Sequence, residues 1–213
     1  MINDNDAVEP EFTNNWFGSF GAPIWKSLLP QLKPKRVLEV GSYEGRSVCF
    51  LIERNTWADE IEVHCIDTWE GSFEHKTSGI NMRSVENRFD ANVDLVCRKT
   101  DSSVKLRKHK GSSDLILSGL LANGFSNYFD FVYVDGSHQA KDVLFDAVLA
   151  FKLVKVGGII GFDDYTWSEN LNYGKDPLRC PKMAIDAFTN IFFRNIRYLN
   201  TGCAQVYVIK DSE

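Results

Sequence analysis

The sequence predicts an α/β protein with a mostly parallel sheet that ends in an antiparallel hairpin. Three observations carry that expectation. Apolar strand-like runs alternate with helical patterns from Arg36 onward. The runs are continuously apolar, as in strands covered by helices on both faces. The last two runs are separated by only three residues, which suits a hairpin and not a crossover.

Residues 1–34, with Pro23, Trp25, Leu28 and Leu29, read as an N-terminal arm and one helix, and residues 35–213 as the domain proper. RVLEV (36–40) is the first strand and GRSVCFLIERN (45–55) the first crossover helix. IEVHCID (61–67) is the second strand, followed by a polar helical stretch near 79–91. VDLVCRK (93–99) reads as the third strand, with a helix around 102–109. FDFVYVD (129–135) is the fourth, and Val143, Leu144, Ala147, Val148 and Phe151 then recur at helical spacing. GGIIGFDD (157–164) is the fifth. A helix near 182–193 precedes IRYLN (196–200) and AQVYVIK (204–210), joined by Thr201–Gly202–Cys203. No internal repeat or interdomain linker interrupts this series.

With 213 residues, 44% hydrophobic and 25% charged, the chain suits one large globular domain. A net charge of −5 gives no reason to expect nucleic acid as a partner, and the basic run at 105–110 reads as a solvated helix end. Five cysteines without regular spacing argue against a disulfide framework or a zinc site. The N-terminus is acidic and polar, unlike a signal peptide, and no apolar stretch approaches the ~20 residues of a membrane span. A cytoplasmic location with no membrane association is expected.

The turn VLEVGSYEGRS places Gly41 and Gly45 between the first strand and its helix, where backbone can approach a ligand. The spacing is not the dinucleotide fingerprint, which disfavours an NAD-dependent oxidoreductase. Glu39 precedes the first glycine, and Asp67 ends the second strand, where a carboxylate can accept both hydroxyls of a ribose. Thr100, Asp101 and Ser102 follow the expected third strand and are suited to receive an adenine edge.

Together with KTDSS and FDFVYVDGSH…VGGIIGFDDY, these segments resemble the class I S-adenosylmethionine-dependent methyltransferases from about residue 34 onward. The resemblance implies a Rossmann-like, doubly wound, seven-stranded sheet and S-adenosylmethionine as cofactor. Residues matching Glu39, Gly41 and Gly45 would line its methionine end, and Asp67 would hold the ribose. Ser42, Tyr43, Ser47, Thr68, Asp101, Ser102 and Asp135 complete the expected cofactor contacts.

In that fold the fourth and fifth strands are neighbours, so Asp135, Asp163 and Asp164 would crowd one edge of the sheet. Like charges so close require protons, hydrogen bonds or a cation, and an all-oxygen set suits Mg²⁺ or another hard divalent ion. Each aspartate alone could equally cap a helix or make an Asx-turn. Here the resemblance narrows to metal-dependent small-molecule O-methyltransferases. The Asp163–Asp164 pair is similar to the macrolide-sugar branch, and the catechol type usually carries Asp–Asn. His138 stands where catechol-type enzymes have a lysine base, and a neutral imidazole can accept a proton near pH 7.

The expected activity is methyl transfer to a hydroxyl of a sugar, diol or catechol-like molecule. The alternatives are a metal-independent methyltransferase of another substrate class and a non-catalytic nucleoside-binding protein of the same fold. Segments 68–80 and 165–180 are expected to be lids, with Trp69, Phe73, Trp167 and Tyr173 exposed and His75 nearby. Related enzymes often self-associate, which leaves a homo-oligomer joined through the N-terminal arm open.

Overall fold

The computed structural model describes residues 9–72, 79–202 and 204–213. Helix α1 (Trp16–Leu32) follows an extended arm and buries Phe17, Trp25 and Leu29. It stops at Lys33, whose left-handed backbone returns its N–H to the Leu29 carbonyl. Then come β1 (Arg36–Val40), α2 (Arg46–Arg54), β2 (Glu60–Asp67), α3 (Met82–Lys99) and β3 (Ser103–Lys110). The second half runs α4 (Ser113–Ala122), β4 (Phe129–Val134), α5 (Ala140–Leu153) and β5 (Val154–Phe162). A 3₁₀ turn (Pro177–Arg179), α6 (Pro181–Ile191), β6 (Ile196–Leu199) and β7 (Val206–Lys210) complete it.

The seven strands lie in the order β3-β2-β1-β4-β5-β7-β6. β1 to β5 are parallel, and β7 pairs antiparallel with both β5 and β6. Alternate residues serve opposite faces. Val37, Phe131, Tyr133 and Tyr207 pack under α1, α2 and α3. Leu38, Val40, Val132, Val134 and Val208 pack under α4, α5 and α6. Both faces are apolar, which explains the unbroken runs in the sequence. The order reverses between β1 and β4, and this switch point is where an open α/β sheet offers a crevice.

The region 79–110 departs from expectation. VDLVCRK is not a strand but the last turns of α3, whose buried stripe runs Val85, Phe89, Val93 and Val96 at helical spacing. Asn81 caps it by accepting the Ser84 N–H. The next segment is the strand, and its one-in-two alternation (Val104 and Leu106 inward between Lys105 and Arg107) marks a sheet edge. The basic run is therefore not a helix end. Lys105 pairs with Glu60, while Lys108 and Lys110 pair with Glu86 of α3. Charges along an edge strand also discourage pairing with another chain. Among the described residues, no helix is long and apolar enough to cross a membrane.

Candidate cofactor pocket and acid edge

The carboxyl ends of β1, β2 and β4 are tied together by backbone bonds. Gly41 N–H donates to Ile66 O at 2.8 Å, and Asp135 N–H to Val40 O at 2.8 Å. The chains meet so closely that a Cβ on Gly41 would lie 1.9 Å from the Asp135 carbonyl oxygen. Gly41 also has φ +90°, so glycine is required twice over. Gly45, at φ +77°, begins α2 against Phe89 and Val93.

Asp67 anchors this turn, accepting Tyr43 N–H at 2.8 Å on one oxygen and Trp69 N–H at 2.7 Å on the other. Thr68 Oγ1 accepts Glu70 N–H at 3.1 Å. Trp69 is not an exposed lid residue: it is buried against Phe89 and donates its indole N–H to Tyr43 O. Phe73 and His75 lie outside the described residues. Trp167 is half-buried against the His138 ring, and Tyr173 is exposed.

Glu39 is buried on the α2 side of β1, where the Ser47 hydroxyl donates to it. Burial pushes its carboxyl up to about 7 against the opposing pull of the Ser47 hydroxyl, with Asp67 adding repulsion. Glu39 Oε2 and Ser42 Oγ are buried without a hydrogen-bond partner. A pocket opens at Ser42, lined also by Ser47, by Asp135, and by Phe12, Asn14 and Trp16.

A smaller pocket lies beside it, between Asp135, Ser137, His138, Asp163, Asp164 and Pro181. β4 and β5 bring the three aspartates together, with Asp163 N–H donating to Val134 O. Desolvation pushes Asp135 well above the usual carboxylate range, and Asp163, Asp164 and Glu39 add to the rise. Desolvation raises Asp163 too, followed by Asp164, while Tyr133 and Gln205 pull the other way. Those partners form a buried chain. Tyr133 OH donates to Asp163 Oδ2 at 2.6 Å, and Gln205 Nε2 donates to Asp163 Oδ1 at 2.8 Å. Tyr207 OH donates to Gln205 Oε1, and Trp25 Nε1 to Tyr207 OH. Asp164, at φ 58°, turns to hold His138 Nε2 at 2.9 Å.

These acids supply the hard oxygen donors a divalent cation prefers. Their arrangement does not fit one as it stands. Asp163 is hydrogen-bonded to Tyr133 and Gln205 and Asp164 to His138, and no group of three His, Cys, Asp or Glu side chains converges on an ion site among the described residues.

Glu39, Gly41, Ser42, Tyr43, Gly45, Ser47, Asp67, Thr68, Asp135, His138, Asp163 and Asp164 thus share one edge of the sheet. Asp101 and Ser102 do not. They precede β3 instead of following it, which puts them at the amino end of the strands, where Asn55 donates to Ser102 Oγ and Ser102 Oγ to Ala58 O. The segment at the carboxyl end of β3 is Gly111–Ser112–Ser113, and Gly111 N–H donates to Asp67 O at 2.9 Å. Its Lys–Gly–Ser–Ser composition between a strand and a helix was the available signal. Glu44 and Gln205, the other polar anchors of the edge, carry no local sequence signal.

Residues 38–165 match the profile of a family described as a methyltransferase domain. A caffeoyl-CoA O-methyltransferase of Populus kitakamiensis is 27% identical over 175 residues, 80% of this chain and 66% of that protein. A probable caffeoyl-CoA O-methyltransferase 3 of Dictyostelium discoideum is 26% identical over 64% of this chain and 46% of its own length. The chain therefore spans at most about two thirds of these curated relatives. Among solved structures, an O-methyltransferase of Bacillus cereus in complex with SAH has a TM-score of 0.62 at 16% identity, covering 96% of this chain and 84% of that one. The O-methyltransferase TomG of Streptomyces achromogenes, involved in tomaymycin synthesis and bound to SAM, has a TM-score of 0.61 at 16% identity, covering 90% and 80%. At such identities the structural likeness shows the fold.

Proposed function

From the premise that this chain belongs to the methyltransferase-domain family, we propose that it transfers a methyl group from S-adenosylmethionine to a hydroxyl of a small molecule. The observation that carries the reading is the pairing of a pocket over Gly41 with a histidine and aspartate dyad beside it. The curated relatives and the structural neighbours named O-methyltransferases support it.

The buried Ser42 Oγ would bind a polar group at the amino-acid end of the cofactor, with the Glu39 carboxyl buried behind it. Asp67, at the carboxyl end of β2, would lie beside the ribose, and Gly111 to Ser113, in place of Asp101 and Ser102, would border the adenine. The sulfonium supplies an already activated methyl group, so the protein has to align the hydroxyl and remove its proton. His138 is the proposed general base. If its Nε2–H donates to Asp164, the other ring nitrogen, Nδ1, carries the lone pair that takes the proton. Trp167, 3.9 Å from the His138 ring between centroids, would present a flat face to a sugar, diol or catechol-like acceptor.

A divalent cation such as Mg²⁺ is a second reading, favoured by the crowding that raises Asp135. It would require the three aspartates to converge on one ion, which no group of three His, Cys, Asp or Glu side chains does among the described residues. Methyl transfer to a panel of diols and catechols, with and without chelator, separates the two. On the proposed reading, His138→Ala lowers turnover by about 10²- to 10⁴-fold and chelator changes little. An unchanged rate in His138→Ala removes the base, and loss of activity on chelation replaces the dyad with the cation.

A further inference from the structure

The pocket over Gly41 has an outer wall made by the N-terminal arm, and one buried carboxylate holds that wall. Glu44 sits inside the glycine turn, between Tyr43 and Gly45, and is 2% exposed. It lines the pocket, and its carboxylate is taken up by the arm and by α3. One oxygen accepts the Thr13 main-chain N–H at 2.7 Å. The other accepts the Thr13 hydroxyl at 2.8 Å and Arg88 Nε of α3 at 2.6 Å. A carboxylate this deep is tolerated because a cation and two donors compensate its lost hydration. Two of those three donors belong to the arm.

Other bonds converge on the same stretch. Asn92 of α3 acts as a substitute backbone, accepting Glu11 N–H at 2.8 Å and donating to Glu11 O at 2.8 Å and Glu44 O at 3.1 Å. Arg46, the first residue of α2, donates to Asn14 O at 2.5 Å and lies over the Phe12 ring. The Trp16 ring rests against Tyr43, whose N–H is held by Asp67. Arm, turn and α3 are thus one hydrogen-bonded unit. The pocket lies between its two halves, with Phe12, Asn14 and Trp16 outside and Ser42, Ser47 and Asp135 inside.

We propose that Glu44 is a positioning residue that clamps the arm over the pocket, so that cofactor binding and arm docking strengthen each other. The inference rests on the cofactor reading above and adds to it the residue and segment that complete the pocket. Releasing the arm removes one wall and also strips two donors from a buried carboxylate next to Tyr43 and Gly45. A ligand filling the pocket therefore stabilises the closed arm, and a loosened arm weakens the ligand by the same factor.

Calorimetric titration of the full chain with S-adenosylhomocysteine, beside limited proteolysis of the arm, tests the clamp. Wild type is titrated first, and absence of binding there overturns the cofactor reading itself. Given binding, Glu44→Gln is expected to weaken it about ten-fold and Thr13→Val a few-fold, the scale of a lost charge-assisted hydrogen bond. Saturating S-adenosylhomocysteine should slow cutting within residues 9–15 of wild type much more than in Glu44→Gln. Wild-type affinity in both variants, or arm cutting indifferent to the cofactor analogue, overturns the proposal. Thr13→Val alters only the arm, so it keeps the test decisive if Glu44→Gln fails to fold.

Discussion

Two aspartates bracket β4, Asp130 near its amino end and Asp135 just past its carboxyl end, and they are treated in opposite ways. Asp130 accepts the main-chain N–H groups of Lys35 and Arg36 at 2.7 and 2.8 Å and pairs with Lys155 at 2.5 Å. Burial works against its charge, yet those partners hold it below the usual carboxylate range. Asp135 faces Asp163, Asp164 and Glu39, and is pushed far above that range. One residue is satisfied and joins neighbouring strands; the other is kept where its charge is unwelcome. Such uncompensated acids in a crevice are the ones to suspect of chemistry.

Three experiments can break or sharpen that contrast. The largest effect is expected for Asp130→Ala, which strands two strand-start N–H groups and Lys155 and should cost about 2 kcal/mol at pH 7. Because the folded state lowers the Asp130 pKa, its contribution is present above the unfolded value and lost as pH falls through the folded one. The penalty in thermal unfolding should therefore shrink toward pH 3, and a constant penalty would mean that charge is not what binds Asp130.

Asp135→Asn should do the reverse. The folded state raises this pKa, so the destabilisation it causes appears as pH rises above the unfolded value near 4 and is complete above the folded one. The variant is expected to be more stable than wild type at pH 8, by about 1 kcal/mol, and to converge with it near pH 4. Methyl transfer should fall at the same time, because Asp135 lines both the cofactor pocket and the smaller pocket beside it. A variant less stable than wild type at pH 8 would show that Asp135 is compensated after all.

Ser102→Ala is the smallest change. It removes bonds to Asn55 and Ala58 at the amino edge and should cost about 0.5 kcal/mol of stability with no change in S-adenosylhomocysteine affinity. A loss of affinity there would reassign the adenine end of the pocket.

What the sequence disclosed follows the reach of the interactions concerned. The turn VLEVGSYEGRS and the strand-end acids were legible because strand ends, glycines and helix starts are local patterns. Register in the third unit was not, since VDLVCRK is as apolar as a strand when read alone. Only the twelve-residue stripe from Val85 to Val96 shows that it continues a helix. Thr100–Asp101–Ser102 then fell at the wrong end of the sheet as a direct consequence. The bonds of Glu44 to Thr13 and Arg88 span 31 and 44 residues, and those of Asp163 to Tyr133 and Gln205 span 30 and 42. No periodicity announces contacts of that range.

The position of β7 between β5 and β6 has a consequence for the order of events in folding. β5 and β6 cannot become neighbours; each must wait for β7, and Gln205 arrives at Asp163 only when that hairpin inserts. The parallel half can collapse earlier around β1 and β4, carrying the Gly41 turn with it. The acid edge is therefore expected to be the last part of the crevice to mature, gaining its final anchors after the cofactor pocket already has a floor.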